Sequence, residues 1–247
     1  MMDKTLTIAS ASSAIEADVR GNGAHIRGLM TKAAGHGVRL IQFPEGALSG
    51  YVGAQIHGWK DLDWPALQSE LDAIAAHAGH LGIWVVVGSN HPQELPLWPH
   101  NALYVISDQG AVVGRYDKRL ISHSEETSWY SPGSHPLVFE VDGFRFGCAL
   151  CIEIRFPELF MAYGRQGVDG VLFSAYEDPI FAVMARAHAA NNIWMSVSTP
   201  AVCRRKLPCR LIGPDGYVFG QEAPGRDLVY GVLDRSKYEI PLTKARP

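Results

Sequence analysis

Cysteine is scarce in this chain, with four among 247 residues. A small disulfide-stapled fold is therefore disfavoured, and a reduced, cytoplasmic setting is expected. Long hydrophobic runs are missing too. The opening Met1 to Ser10 lacks a basic region leading into an apolar stretch, so no signal peptide is expected, and no later window reaches membrane-spanning length. Charge of one sign is not in excess: the net charge is −3 and the pI about 6.4. That argues against nucleic acid as the main partner. The one basic run, Arg204-Arg205-Lys206, reads as a solvated loop ahead of a phosphate or carboxylate site. No Ser/Gly/Pro-rich linker, charge block or low-complexity tract interrupts the chain, so residues 1–247 are expected to form a single domain. The 47% apolar content suffices for one sizeable core.

What is present is a mixture of strand and helix patterns. Thr5 to Ser10 alternates as a strand. Glu16 to His36 suits a helix with an apolar face at Val19, Ile26, Leu29 and Met30, ended by Gly35 and Gly37. Val38 to Phe43 is a short apolar strand that delivers Pro44-Glu45. Trp64 to His80 reads as a second helix with Pro65 in its first turn. Ile83 to Ser89 is a buried strand. Ala102 to Ser107 and Ala111 to Tyr116 form a hairpin that delivers Asp117-Lys118. Leu137 to Val141 and Phe144 to Leu150 flank Asp142-Gly143, a second hairpin signal. Pro157 to Gln166 and Pro179 to Asn192 suit helices, alternating with strands at Val168 to Ser174 and Ile193 to Ser198. Cys209 to Ile212, Tyr217 to Gly220 and Leu228 to Leu233 close the pattern as strands. Hairpins mixed with strand–helix–strand units predict an α/β protein with two mixed sheets and helices outside.

Within this pattern Cys151 ends an apolar strand and is followed at once by a charged turn and a proline, in G-C-A-L-C-I-E-I-R-F-P-E over 147–158. Glu45 and Lys118 also lie just beyond apolar strands. A carboxylate can take a thiol proton, and an ammonium can stabilise a thiolate and then an oxyanion. The competing reading of Cys151 is a buried small hydrophobe. Cys148 and Cys151 also form a C-x-x-C, but positions three apart on a strand face opposite sides, which disfavours a redox pair. Adding Cys203 and Cys209 gives poor zinc spacing, so no metal is expected.

Three segments in this order resemble the nitrilase, or carbon–nitrogen hydrolase, superfamily over nearly the whole chain. F-P-E-G-A-L-S-G-Y is similar to the family's glutamate segment, Y-D-K-R to its lysine segment, and G-C-A-L-C-I-E-I-R-F-P-E to its nucleophile segment. The resemblance implies a four-layer α-β-β-α sandwich, paired with a second subunit through its helices as a homodimer or higher oligomer. It implies Glu45 as base, Cys151 as nucleophile, and Lys118 with the backbone N–H of Ile152 as the oxyanion site. Neither metal nor organic cofactor is implied. A second family glutamate precedes a P-G pair; E-E-T-S-W-Y-S-P-G offers Glu125 and Glu126, and counting back from Pro132-Gly133 favours Glu126.

Departures from the family pattern fall at Ile152 and at Leu120, and at Tyr176 where a tryptophan is common; Glu153 keeps the usual acid. Such positions tend to line the pocket. Tyr51, Trp129, Glu153, Arg155 and Tyr176 are therefore candidate pocket residues, with core packing the alternative for Tyr51 and Trp129. For Arg155 an ion pair with Glu153 or Glu158 is preferred over a grip on substrate carboxylate. The implied activity is hydrolysis of a small amide at a non-peptide C–N bond. Nitrile or N-carbamoyl hydrolysis is an alternative, and a thiol-based binding or redox-sensing protein is the non-enzyme one. A membrane partner is not expected.

Overall fold

The computed structural model describes residues 5–203 and 205–238. The chain runs β1 (Thr5–Ala11), α1 (Val19–Ala34), β2 (Leu40–Gln42), α2 (Trp64–Leu81), β3 (Trp84–His91), β4 (His100–Ile106), β5 (Val112–Asp117) and α3 (His123–Ser128). It continues through β6 (Val138–Val141), β7 (Phe144–Leu150), a 3-10 turn over Cys151–Arg155, α4 (Pro157–Arg165) and β8 (Gly170–Ser174). The last elements are α5 (Phe181–Ala189), β9 (Trp194–Ser198), β10 (Arg210–Ile212), β11 (Val218–Gln221) and β12 (Leu228–Asp234). Two six-stranded sheets result, ordered β12-β1-β2-β3-β4-β5 and β11-β10-β9-β8-β7-β6. Each is mixed: β1, β2 and β3 are parallel, as are β7, β8 and β9, while the flanking pairs are antiparallel.

Alternation along the strands builds the layers, because successive side chains point to opposite faces. In β3, Val85 and Val87 join the core under α1 and α2, while Val86 faces the other sheet. In β8, Val171 and Phe173 pack toward α4 and α5, while Leu172 faces inward. Three apolar cores follow, one between the sheets and one under each helical layer, which is the four-layer sandwich predicted above. Each large side chain so buried contributes roughly 1.5–3 kcal/mol.

The helix ends carry readable signals. Asp18 caps α1 by accepting from Arg20 N, and Asp63 caps α2 ahead of Pro65. Gly82 ends α2 in the left-handed conformation. The first helix starts at Val19 rather than near Glu16, since Asp18 takes the capping position.

At the ends of β1, β2, β8 and β9 the seam between the sheets turns polar. The Ser174 hydroxyl donates to Phe43 O at 2.8 Å and accepts from Gln42 Nε2 at 2.9 Å. The Ser198 hydroxyl donates to Ala11 O at 2.7 Å, and the Ser10 hydroxyl to Val197 O. These bonds fix the strand ends of one sheet against those of the other where the chain leaves to form the site.

Candidate active site

Glu45 stands on the turn after β2. Pro44 has no N–H to continue the ladder, so the strand ends there. The turn lies directly on β3 at Gly88, where a Cβ would stand 2.0 Å from Pro44 O and 3.0 Å from Glu45 Cα. Only a glycine admits that approach. Lys118 follows β5, and its N–H bonds Asn101 O at 2.8 Å. The Pro132-Gly133 turn rests on the same segment: Gly133 N donates to Lys118 O at 2.8 Å, and a Cβ there would stand 2.3 Å from Asp117 O.

Glu45 and Lys118 are buried at 0% and 1% exposure. The Lys118 ammonium donates to Glu45 Oε1 at 3.1 Å and to Glu125 Oε1 at 2.6 Å. Asn101 Nδ2 donates to the same Glu45 oxygen at 2.7 Å. Glu45 Oε2 is buried without a partner. Burial pushes the Glu45 carboxyl above its ordinary value, and the Lys118 charge opposes that rise. Burial works against the Lys118 ammonium, yet Glu45 and Glu125 outweigh it and hold the lysine charged. Burial would also raise Glu125, but Lys118 and Ser122 bring it below the usual carboxylate range.

The second glutamate is a correction to the sequence expectation. Glu125, not Glu126, reaches the lysine; Glu126 is exposed on the outer side of α3. The reason is a capping box: Ser122 Oγ accepts from Glu125 N, and Glu125 Oε2 accepts from Ser122 N at 2.8 Å. That reciprocal pair turns the Glu125 side chain back toward the start of the helix. The S-x-x-E spacing from Ser122 was the signal that could have identified it.

Cys151 sits where β7 breaks into the 3-10 turn, with φ of 49°, in the left-handed region. A non-glycine residue there stores about 1–3 kcal/mol of strain, sustained by its surroundings. The thiol lies in the field of Glu45, Lys118 and Glu125. Burial, then Glu45, push it well above the ordinary thiol value, with Lys118 opposing, so the resting group is the neutral thiol. Ile152 N lies in the first turn after the cysteine, where backbone donors have no partner one turn earlier. Cys148 is sealed in the core between the sheets, Cys209 is buried, and Cys203 is half-buried; all four cysteines are free.

Tyr51 and Tyr176 stack at 4.1 Å, and Gln55 Nε2 donates to the Tyr176 hydroxyl at 3.0 Å. Tyr51 lies in the field of Glu45. The other pocket candidates make contacts of their own. Trp129 packs edge-on against Trp59 over the core beneath α2. Glu153 is wholly buried and accepts from the Tyr116 hydroxyl, Arg119 N, Leu120 N and Leu150 N at 2.7–3.1 Å. It ties the lysine segment to the cysteine segment across the two sheets. Arg155 pairs with Asp178 at 3.5 Å and lies over the Phe181 ring, so its ion-pair partner is neither Glu153 nor Glu158. Arg204 lies outside the described residues; Arg205 pairs with Asp178, and Lys206 with Glu222. Among the described residues no cluster of His, Cys, Asp and Glu could hold a metal ion, and no helix is long and apolar enough to cross a membrane. Asn101 was missed in the sequence, where its only mark is an amide inside an apolar strand.

Paired mixed sheets with helices outside define a nitrilase-type sandwich. The same fold occurs in an amidase from Nesterenkonia sp., at a TM-score of 0.83 and 21% identity over 98% of this chain and 93% of that one. A double mutant of the Nesterenkonia sp. AN1 amidase has been solved in complex with acrylamide. The chain belongs to the carbon-nitrogen hydrolase family, whose sequence model matches residues 7–239. Among its relatives are a deaminated glutathione amidase of Yersinia enterocolitica, 27% identical over 74% of this chain and 68% of that protein, and an omega-amidase of Saccharomyces cerevisiae, 23% identical over 84% and 80%.

Proposed function

We propose that this protein is a cysteine-dependent amidase that hydrolyses a small aliphatic or omega-amide through a thioester, releasing ammonia. One observation carries the reading: a buried Glu45–Lys118–Glu125 charge cluster whose field embraces the thiol of Cys151. Glu45 Oε2 takes the Cys151 proton as the sulfur attacks the amide carbon, forming the C–S bond. The carbonyl oxygen becomes an oxyanion between Lys118 Nζ and Ile152 N–H. Collapse breaks the C–N bond, and Glu45 passes its proton to the departing nitrogen, giving ammonia. Water, deprotonated by the same carboxylate, adds to the thioester, and the thiol is regenerated with a carboxylic acid as product. The sum is amide plus water to acid plus ammonia, with every proton handled by groups of the chain. Glu125 holds the lysine.

Amide-hydrolysing relatives and the acrylamide complex of the Nesterenkonia enzyme support an amide over a nitrile. Carbamoyl hydrolysis needs a carboxylate grip, and Arg155, the candidate for it, is engaged by Asp178 and Phe181. Tyr51 and Tyr176 are read as the pocket wall. Residues 1–247 are read as one catalytic domain, in keeping with the span of the family match. Exposed Met161, Ile180 and Val183, on and beside α4 and α5, support pairing of two copies through those helices, and four free thiols suit a cytoplasmic setting. The test is ammonia release from succinamate-type and simple aliphatic amides against the matching nitriles. Release from the amides, lost in Cys151→Ala, is expected; turnover of nitriles alone would overturn the reading.

A further inference from the structure

Glu45 carries two donors on one oxygen and none on the other. Asn101 Nδ2 stands 2.7 Å and Lys118 Nζ 3.1 Å from Oε1, while Oε2 is buried and unpartnered. Donors on an oxygen draw negative charge toward it and reduce its readiness to take a proton. The two carboxylate oxygens are thus made unequal by the fold, and the asymmetry rests on Asn101. Lys118 divides its charge between Glu45 and Glu125, and it is also the group that must turn to an oxyanion. Asn101 is neutral, 2% exposed and held on β4, with its own carbonyl accepting from Lys118 N at 2.8 Å. Once Oε2 is protonated, Oε1 becomes a carbonyl oxygen, and the amide still donates to it. No other group described at Glu45 can do so in both protonation states without surrendering an ion pair.

We infer that Asn101 is a positioning residue for the base: it locks the Glu45 carboxyl so that Oε2 alone exchanges protons with Cys151 and the leaving nitrogen. The inference rests on the amidase reading above. It goes beyond that reading by assigning the chemistry to one oxygen and naming the residue that selects it. Loss of the amide donor should have two effects. The carboxyl gains freedom to rotate, and such misplacement lowers kcat by about 10–100-fold, with KM much less affected. Its pKa also rises, since burial raises it and the Asn101 bond is among the influences opposing that rise. The groups facing Glu45, namely Lys118, Glu125, Cys151, Tyr51 and Tyr130, remain in place in every variant compared.

The experiment measures kcat, KM and the pH profile of kcat/KM for ammonia release in wild type, Asn101→Ala and Asn101→Asp, alongside the rate of Cys151 alkylation by iodoacetamide against pH. Asn101→Asp keeps the shape of the side chain and reverses its electrostatics. Expected are a 10–100-fold loss of kcat in both variants, KM within about threefold, and an acid limb moved to higher pH, further in Asn101→Asp. A purely structural role predicts, in Asn101→Ala, wild-type kinetics or a loss that tracks the folded fraction with an unmoved limb; either result overturns the inference. Should a variant melt below assay temperature, Asn101→Ser carries the same readouts. A wild type that turns over no amide, and whose Cys151 labelling ignores Glu45→Gln, sinks the amidase reading itself. An active wild type with indifferent variants sinks only the role of Asn101.

Discussion

The two sheets share a strand pattern and divide the site unequally. In each, an antiparallel edge strand leads to three parallel strands and then two antiparallel ones. The first sheet supplies all the charge: Glu45 after β2, Lys118 after β5, and Glu125 on the helix that follows. The second supplies the sulfur, on a strained residue after β7. The closing strands differ in length. β4 and β5 have 7 and 6 residues and lead to the site, whereas β10 and β11 have 3 and 4. In the proposed mechanism, charges that must stay mutually fixed are built on one sheet, and the nucleophile is brought to them by the other. The polar seam of Ser10, Ser174 and Ser198 and the Glu153 brace hold the two together.

The largest break in this comparison is Cys151→Ala, which empties the second sheet's contribution. Ammonia release should fall by about 10⁴-fold or more, and a loss no greater than that of a surface variant would end the division of labour. Next come Glu45→Gln and Lys118→Ala on the first sheet, each expected to cost about 10²–10⁴-fold in kcat/KM. The same sheet sets the pH response. Because burial lifts the Glu45 carboxyl, kcat/KM should fall as pH drops through its titration and the base becomes protonated. The thiol is pushed well above its usual value, so a rate that climbs with a thiol titration near neutrality would contradict a neutral resting Cys151.

A sharper cut lies within α3. Glu125→Gln should lower kcat by about 10–100-fold, while Glu126→Gln, one residue along and exposed, should stay within about twofold. Equal effects would remove Glu125 from the lysine. The brace is tested by stability: Glu153→Ala leaves three backbone N–H groups and the Tyr116 hydroxyl without their acceptor, for a loss of about 3 kcal/mol or more in urea unfolding. The smallest effect is expected of Arg155→Ala, whose exposed pair with Asp178 contributes about 0–1 kcal/mol. Its amide turnover should persist; abolished substrate binding would revive a carboxylate grip.

Most of the architecture was legible because local signals and the fold agree. Pro65 and Gly82 bracket α2, the V-V-V run of β3 is too apolar for anything but a doubly covered strand, and Asp142-Gly143 marks its hairpin. The helix α3 was not seen. It has six residues and no apolar stripe, so periodicity carries no information about it. The bracing role of Glu153 is illegible in the sequence for a related reason. An acid beside a nucleophile suggests solvent and substrate, and the four donors that bury it come from residues 30 or more positions away or from the strand end before it. Asn101 escaped because its partner, Glu45, lies 56 residues earlier. Contacts closed by tertiary structure leave no spacing for a reader of the chain to count.

Gly88 has a consequence for anyone who varies this protein. It lies in mid-strand with no functional group, yet a single methyl there would collide with the turn that carries Glu45. A mutational scan would score it as intolerant, and its place within a strand would invite a diagnosis of misfolding. The damage would in fact be a displaced carboxylate, and libraries meant to broaden substrate range should leave that position untouched.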